Sequence, residues 1–205
     1  MKFYKLFISF LLVIVISGAA EASTLPDVLV EKTINDLIGN LEARRGELKE
    51  DRQKLYQMVE DVLVPHFDIE VIARLVLAKH WRKANDNQKM AFAAEFKNLL
   101  IRTYATALFE YTGNEKLIVK PLRMKDGDRK VQVKTEVILP GAPPVPVNYS
   151  FLQNKSGDWK IYDVKIDGIS LVTNYRSSYG QKISADGLDS LINALREKSQ
   201  KLGSS

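Results

Sequence analysis

The spacing of apolar residues changes near the middle of the chain. Before Gly113, apolar side chains recur every three to four residues, as they do on one face of an α-helix. After Gly113 they alternate with polar residues, as they do in a β-strand that is buried on one side. The pattern therefore predicts a helical first half that is followed by a β-sheet.

The first half contains four predicted helices. Their predicted starts are Pro26, Asp51, Asp68 and Asn85. The charge-dense stretch 42–50 is predicted to be a loop or a helix end, and Pro65 is predicted to stop the second helix. Asn85 and Gln88 have the spacing of a capping box, and the helix that they open is predicted to continue to Tyr111.

Four strands are predicted after Gly113, and a last helix is predicted after the strands. The strands are expected at 117–124, 131–139, 147–151 and 159–166, and the helix at 188–198. Their short connections favour antiparallel neighbours. The predicted fold class is α+β, a curved antiparallel sheet of about four strands with helices packed on one face and a pocket between the two layers.

The first 22 residues have the three parts of a secretory signal peptide. Lys2 and Lys5 are followed by the apolar run 6–16 and by the small-residue pair Ala20 and Ala22. The run is shorter than the roughly 20 apolar residues that a membrane-spanning helix needs. We therefore predict a cleaved signal peptide at 1–22, a single mature domain at 23–205, and export of the protein to the periplasm.

Composition removes several functional classes. The net charge of +5 is a mild excess and gives no nucleic-acid signature. With no cysteine, the domain has neither disulfides nor thiolate metal sites. The two histidines, His66 and His80, have no partner at metal-ligand spacing, so no metal site and no cofactor are predicted.

Signatures of catalysis are also missing from the sequence, which contains neither a GxSxG elbow nor a GxxxxGK loop. Asp163, Asp167 and Asp186 are carboxylates near predicted turns or element ends, where aspartate commonly has a structural role. We predict that the protein is not an enzyme. The alternative that remains open is an isomerase or hydrolase that uses an Asp and a Tyr inside the pocket.

Several segments, taken in order, resemble the MlaC family, also called the toluene-tolerance auxiliary family. They include LVPHFD at 63–68, LVLAKHW at 75–81, GDWKIYDV at 157–164 and DGISLVTNYR at 167–176. The resemblance implies a cone-like fold of the nuclear-transport-factor type with added N-terminal helices and a C-terminal helix. The family's basic residue after the proline loop is absent from 146–150, which leaves a headgroup contact there without support.

The resemblance also implies a function and its partners. The family's members are periplasmic phospholipid carriers that maintain outer-membrane lipid asymmetry in the Mla pathway. We expect this protein to be a monomer. Their implied partners are an inner-membrane ABC transporter with a mammalian-cell-entry domain protein and an outer-membrane lipoprotein–porin complex. Another amphiphile, such as a sterol-like lipid or the acyl chains of a lipoprotein, is the alternative cargo.

Candidate lipid-contacting residues follow from strand alternation and from position in the chain. The sheet is expected to provide Val133, Val137, Val147, Tyr149 and Phe151. The segment after the sheet is expected to provide Ile169, Val172 and Tyr175, and the helices of the first half are expected to provide Val76, Leu99 and Tyr104. The same periodicity is typical of an ordinary core, so the residues alone leave both interpretations open. Glutamate at Val147 or Val172 is expected to abolish lipid retention while preserving the fold.

Overall fold

The fold was described from a computed structural model of residues 24–204, which form seven α-helices and one five-stranded sheet. Five helices precede the sheet: α1 (Pro26–Ala43), α2 (Arg45–Glu50), α3 (Arg52–Leu63), α4 (Ile69–Leu77) and α5 (Asp86–Tyr104). Two follow it: α6 (Leu171–Asp186) and α7 (Leu188–Ser204). The predicted signal peptide lies outside the described residues. None of the helices within 24–204 combines the length and the hydropathy that crossing a bilayer requires.

Side-chain caps fix the starts of three helices where the sequence predicts them. The Asp51 carboxylate accepts the backbone N–H groups of residues 53 and 54 at the start of α3. The Asp68 carboxylate accepts the N–H of Val71 at 2.9 Å. Asn85 and Gln88 bond reciprocally to each other's backbone N–H, at 2.9 and 3.2 Å. Each cap satisfies N–H groups that have no partner within the helix.

The sheet is antiparallel, and its strands are ordered as they occur in the chain. Its strands are β1 (Lys116–Val119), β2 (Lys130–Ile138), β3 (Val145–Gln153), β4 (Trp159–Ile166) and β5 (Ile169–Ser170). The predicted α+β class and the four predicted strands are confirmed, and β5 is a short addition. A tight turn at Asp167 and Gly168, with φ of 50° and 80°, joins β4 to β5.

The structure differs from the expected elements in four places. Strand β1 covers only Lys116–Val119, whereas the first strand was expected to continue to residue 124. Residues 45–50 form the short helix α2 rather than a loop. Helix α5 ends at Tyr104, and a six-residue 3-10 helix, Ala105–Glu110, continues the chain. The segment after the sheet, for which no helix was predicted, forms α6. The Asp163 carboxylate of β4 stabilises its start by accepting the Ser170 hydroxyl at 2.7 Å and the Val172 N–H at 3.1 Å.

Three apolar clusters hold the domain together. The helical cluster joins α4, α5, α6 and α7, and its fully buried members include Val76, Leu77, Phe92, Phe96, Leu99 and Leu191. A second cluster joins the C-terminal half of α1 to α2 and α3 through Leu37, Leu41, Leu48 and Leu55. The sheet cluster lies on one face of the strands, and α1 adds Val30 to Val131, Val133, Phe151, Trp159 and Ile161.

Candidate functional site

A cavity of about 90 Å³ lies between the N-terminal half of α1 and the face of the sheet that carries the sheet cluster, which we call the inner face. Helix α3 and the 3-10 turn Val64–His66 close one side. The lining residues are Leu29, Val30, Thr33, Ile34, Leu63, His66, Phe67, Tyr149, Phe151 and Ile161. Seven of these ten are aliphatic or phenylalanine, so the cavity presents an apolar surface.

Strand alternation and pairing register bring the sheet residues to the cavity. Tyr149 and Phe151 are two residues apart on β3 and therefore point to the same face. Phe151 is paired with Ile161 on β4 and with Val131 on β2, so these three side chains form a row on the inner face. The register shifts between Ser150 and Phe151, and this irregularity puts Ile161 beside Phe151.

Helical spacing brings α1 over that row. Val30, Thr33, Ile34 and Leu37 recur at intervals of three and four residues and share one face of the helix. Val30 and Ile34 belong to the sheet cluster, whereas Leu37 belongs to the second cluster with α2 and α3. Helix α1 therefore covers the sheet with its first half and is held against α2 and α3 by its second half.

Apolar contacts alone attach the side chains of α1 to other elements. Within residues 24–204, the hydrogen bonds of its side chains stay inside the helix, as between Asn40 and the Asp36 carbonyl at 2.8 Å. Every described salt bridge joins residues outside α1. Moving this helix therefore breaks no side-chain hydrogen bond or salt bridge among the described residues.

Three polar side chains interrupt the apolar lining. The Thr33 hydroxyl is buried and has no hydrogen-bond partner among the described residues. Burial raises the pKa of Tyr149 to about 12, so its hydroxyl stays protonated at neutral pH. Burial lowers the pKa of His66, and the positive charges of Lys160 and Lys32 lower it further. The cavity is therefore uncharged at neutral pH but contains hydrogen-bonding groups.

The cavity is too small for a ligand with the volume of a phospholipid. Small-molecule pockets typically measure roughly 300–1,000 Å³, several times the volume found here. A two-tailed lipid therefore needs the walls to separate. Helix α1 is the wall whose separation breaks no hydrogen bond.

The residues predicted to contact lipid lie in several different environments. Tyr149 and Phe151 line the cavity, and Val133 is fully buried beside them in the sheet cluster. Val137 and Val147 are half-buried on the inner face, nearer its other end. Their contacts with a lipid stay predictions, as do those of the remaining six residues.

Those six residues are on the helical side of the domain or at its surface. Val76, Leu99 and Val172 are buried in the helical cluster. Tyr175 packs against Phe96 of that cluster, with ring centroids 5.0 Å apart. Tyr104 is 42% exposed and Ile169 is 63% exposed. The structure therefore does not bring these six side chains to the cavity between α1 and the sheet.

Sequence reasoning missed most of the cavity wall, including Thr33, His66 and Phe67. Val30 and Ile34 are four residues apart and therefore share one helix face, but the pattern does not indicate which surface that face covers. The signal for Thr33 was present: it occupies an inward position of the α1 stripe, three residues after Val30.

A polar pocket of about 110 Å³ lies between α3 and α5, away from this cavity. Arg102 crosses it, donates to the Ser199 carbonyl at 2.6 Å, and stacks over the Tyr56 ring at 5.6 Å. The Tyr56 hydroxyl donates to the Leu202 carbonyl at 3.0 Å. These bonds fasten the end of α7 to α3 and α5, so we assign the pocket a structural role.

No group of three or more metal-ligating side chains occurs within residues 24–204. None of the ten residues that line the cavity is an aspartate or a glutamate. The acid–base pair that the enzyme alternative requires is therefore not provided by these lining residues.

Comparisons with known proteins agree on one family. A family model described as "MlaC protein" matches residues 31–197. The intermembrane phospholipid transport system binding protein MlaC of Haemophilus influenzae is 24% identical over 198 residues, which cover 96% of this chain and 92% of that protein. The toluene tolerance protein ttg2D of Pseudomonas putida is 30% identical over 169 residues, which cover 82% of this chain and 77% of that protein.

A solved structure has the same fold. The phospholipid-binding protein of Ralstonia solanacearum, determined in complex with a phospholipid, matches with a TM-score of 0.78 and 29% sequence identity. The match covers 86% of this chain and 97% of that one.

Proposed function

Because this chain belongs to the MlaC family, we propose that it is a periplasmic carrier that binds the acyl chains of a phospholipid and moves the lipid between the outer and inner membranes. In this role it maintains the lipid asymmetry of the outer membrane. The observation that carries the proposal is the Ralstonia protein, which has the same fold over 97% of its length and holds a phospholipid. The apolar cavity between α1 and the sheet gives this chain a place for the same kind of ligand.

The energetics of lipid transfer explain why an apolar cavity is needed. A phospholipid with two long tails has on the order of 30 methylenes, and exposing each to water costs about 0.8 kcal/mol. Transfer without a carrier therefore faces a barrier above about 20 kcal/mol. A protein that covers the tails during the crossing removes most of that barrier, and it needs apolar walls with few unpaired polar groups.

Loading requires the cavity to widen, and we assign this movement to α1. Its side chains are attached to other elements by apolar contacts alone within the described residues, so displacing it leaves no polar group of the helix without a partner. A displaced α1 uncovers Tyr149 and Phe151 and extends the cavity toward Val137 and Val147 on the same face. These four residues are the part of the predicted lining that a tail reaches first.

Compartment and partners follow from the same family relationship. The relative from Haemophilus is named as part of an intermembrane phospholipid transport system, which supports placing this protein between two membranes. The signal peptide predicted at 1–22 provides its route of export. An inner-membrane ABC transporter with a mammalian-cell-entry domain protein and an outer-membrane lipoprotein–porin complex complete the proposed pathway, with no enzymatic step by the carrier itself.

The proposal is tested by native mass spectrometry of the protein isolated from the periplasm, followed by extraction and identification of its lipid. The expected result is one phospholipid per protein. Ile34→Glu, which places a carboxylate in the cavity wall, is expected to reduce the bound fraction at least tenfold, because an ion against hydrocarbon costs several kcal/mol. Ile38→Glu is the matched control, one helical turn away and outside the lining.

Three results contradict the proposal or a part of it. A protein that emerges without lipid and takes none from phospholipid vesicles is not a phospholipid carrier. A different amphiphile bound in stoichiometric amount shows that the cavity carries another cargo. Equal retention by the two glutamate variants shows that lipid is bound elsewhere than in the cavity between α1 and the sheet.

A further inference from the structure

Thr33 is a polar residue in an apolar setting. Its side chain lies on the cavity side of α1, the residue is 7% exposed, and its hydroxyl has no hydrogen-bond partner within the described chain. A threonine inside a helix commonly donates to the carbonyl four residues earlier, which here belongs to Leu29. That bond is not made. The hydroxyl is therefore buried in the cavity wall without a partner, and it becomes available to a ligand when α1 moves away from the sheet.

An unpaired hydroxyl in an apolar wall destabilises the protein unless something pairs with it. Valine has nearly the same shape as threonine and lacks the hydroxyl, so it would suit a surface that contacts hydrocarbon alone. Since the neighbouring lining residues Val30 and Ile34 are aliphatic, the hydroxyl at position 33 points to a ligand with a hydrogen-bond acceptor at that depth.

The chemistry of a phospholipid leaves one suitable acceptor. Its tails have no lone pairs, and its phosphate is an anion that is costly to bury. The ester carbonyl oxygens are neutral acceptors located between the two. A lipid that enters tails first therefore places its esters where the apolar cavity meets its polar rim.

Charged side chains lie close to the cavity residue His66. Lys32 and Lys160 lie near enough to His66 to disfavour its protonated form, with Asp36 acting in the opposite sense. Lys32 is exposed and immediately precedes Thr33. Positive charge near His66 favours an anionic phosphate on this side of the cavity.

Resting on the proposed function, we propose that the Thr33 hydroxyl donates a hydrogen bond to an acyl-ester carbonyl oxygen of the bound glycerophospholipid. The contact makes the protein selective for ester-linked lipids over ether-linked lipids of the same headgroup and chain length. It also sets the depth to which the tails enter.

The test is a direct competition between two lipids. Lipid-free mature protein is incubated with vesicles that contain equal amounts of a diacyl phosphatidylglycerol and its dialkyl ether analogue, and the bound lipids are extracted and quantified. The wild-type protein is expected to retain about fivefold more of the ester lipid, which corresponds to about 1 kcal/mol for one hydrogen bond. Thr33→Val is expected to retain the two equally.

Thr103→Val is the matched control. The Thr103 hydroxyl is also buried without a partner, but this residue lies on α5 and does not line the cavity. Its variant is expected to keep the wild-type ester preference. In infrared spectra of bound lipid with ¹³C-labelled ester carbonyls, the carbonyl band is expected to move to higher frequency in Thr33→Val and to stay unchanged in Thr103→Val.

The outcomes separate this inference from the function on which it rests. Equal retention of the two lipids by the wild-type protein, or an unchanged preference in Thr33→Val, overturns the role of Thr33 while the carrier function stands. Retention of neither lipid by the wild-type protein overturns the carrier function itself. Because valine fits the same helical position, thermal unfolding of Thr33→Val is expected to match the wild type or to exceed it.

Discussion

Filling the cavity between α1 and the sheet should stabilise the lipid-free protein and weaken its binding of lipid. Ile34 lines that cavity and is half-buried, and Ile34→Phe adds three carbon atoms at the wall. The destabilisation associated with a cavity is about 24 cal/mol per Å³. For 90 Å³, complete filling is worth about 2.2 kcal/mol.

One phenylalanine fills part of that volume, so we expect a gain of about 1 kcal/mol. For a protein of this size the gain corresponds to a rise in Tm of about 2–4 °C. The added ring excludes about three methylenes of the acyl chain, each worth about 0.8 kcal/mol, so lipid binding is expected to weaken about 50-fold.

The assay pairs differential scanning calorimetry of lipid-free protein with equilibrium uptake of a fluorescent phospholipid from vesicles. Ile38→Phe is the control, since Ile38 is half-buried on the same helix but outside the lining. It should change neither quantity appreciably. A higher Tm for Ile34→Phe with wild-type uptake would show that acyl chains do not occupy this cavity. A lower Tm would show that the wall cannot accommodate the ring, and it would refute the stabilisation that we expect from filling the cavity.

Two further predictions concern stability. Burial lowers the pKa of His66 below its ordinary 6.5, so the folded protein binds this proton less readily than the unfolded chain does. The free energy of unfolding should therefore be full above pH 6.5 and fall as the pH drops below it. Thermal melts from pH 8 to pH 5 should show a shallower fall for His66→Gln, and an identical fall would contradict this prediction. Asp163→Asn weakens the hydrogen bonds to Ser170 and Val172 at the start of α6. It should lower the free energy of unfolding by about 1 kcal/mol, as measured by urea unfolding. Asp167→Asn in the β4–β5 turn is the control and should leave that free energy unchanged, because asparagine tolerates positive φ.

Local signals in the sequence determined most of the fold. Caps at Asp51, Asp68 and Asn85 define helix starts through bonds that involve only the next three residues, so they can be predicted without tertiary information. Alternation defines the strands equally well, because each strand is buried on one side. The change in the spacing of apolar residues at Gly113 marks the boundary between the helical first half and the sheet.

Helix α6 escaped prediction because tertiary contacts stabilise it. Gly180 lies in its middle, and the hydroxyls of Ser177 and Ser184 bond back to carbonyls four residues earlier, features that do not favour a helix in isolation. Tyr175 and Tyr179 stabilise the helix by packing against Phe96, with ring centroids 5.0 and 5.9 Å from that of Phe96. Their one-turn spacing was visible in the sequence, but their partner on α5 was not.

The cavity could be predicted only in part for a related reason. Periodicity places Tyr149 and Phe151 on an inner face, since a strand has two faces and its polar residues identify the outer one. It does not reveal which of seven helices covers that face. Val76, Leu99 and Val172 were expected to contact lipid, and the structure places them in the helical cluster; their contact with a lipid stays a prediction.

Under the proposed function, helix α1 and an acyl chain are alternative partners for the inner face of the sheet. Hydrophobic attraction is non-directional, so the surface of Tyr149 and Phe151 can be covered equally well by the leucine and isoleucine side chains of a helix or by the methylenes of a lipid. In the lipid-free protein, the helix then covers the apolar surface that the acyl chain covers in the loaded protein. Loading is then an exchange of one apolar cover for another, and its net free energy is small compared with either burial. A membrane complex needs only a slight bias to fill or empty such a carrier.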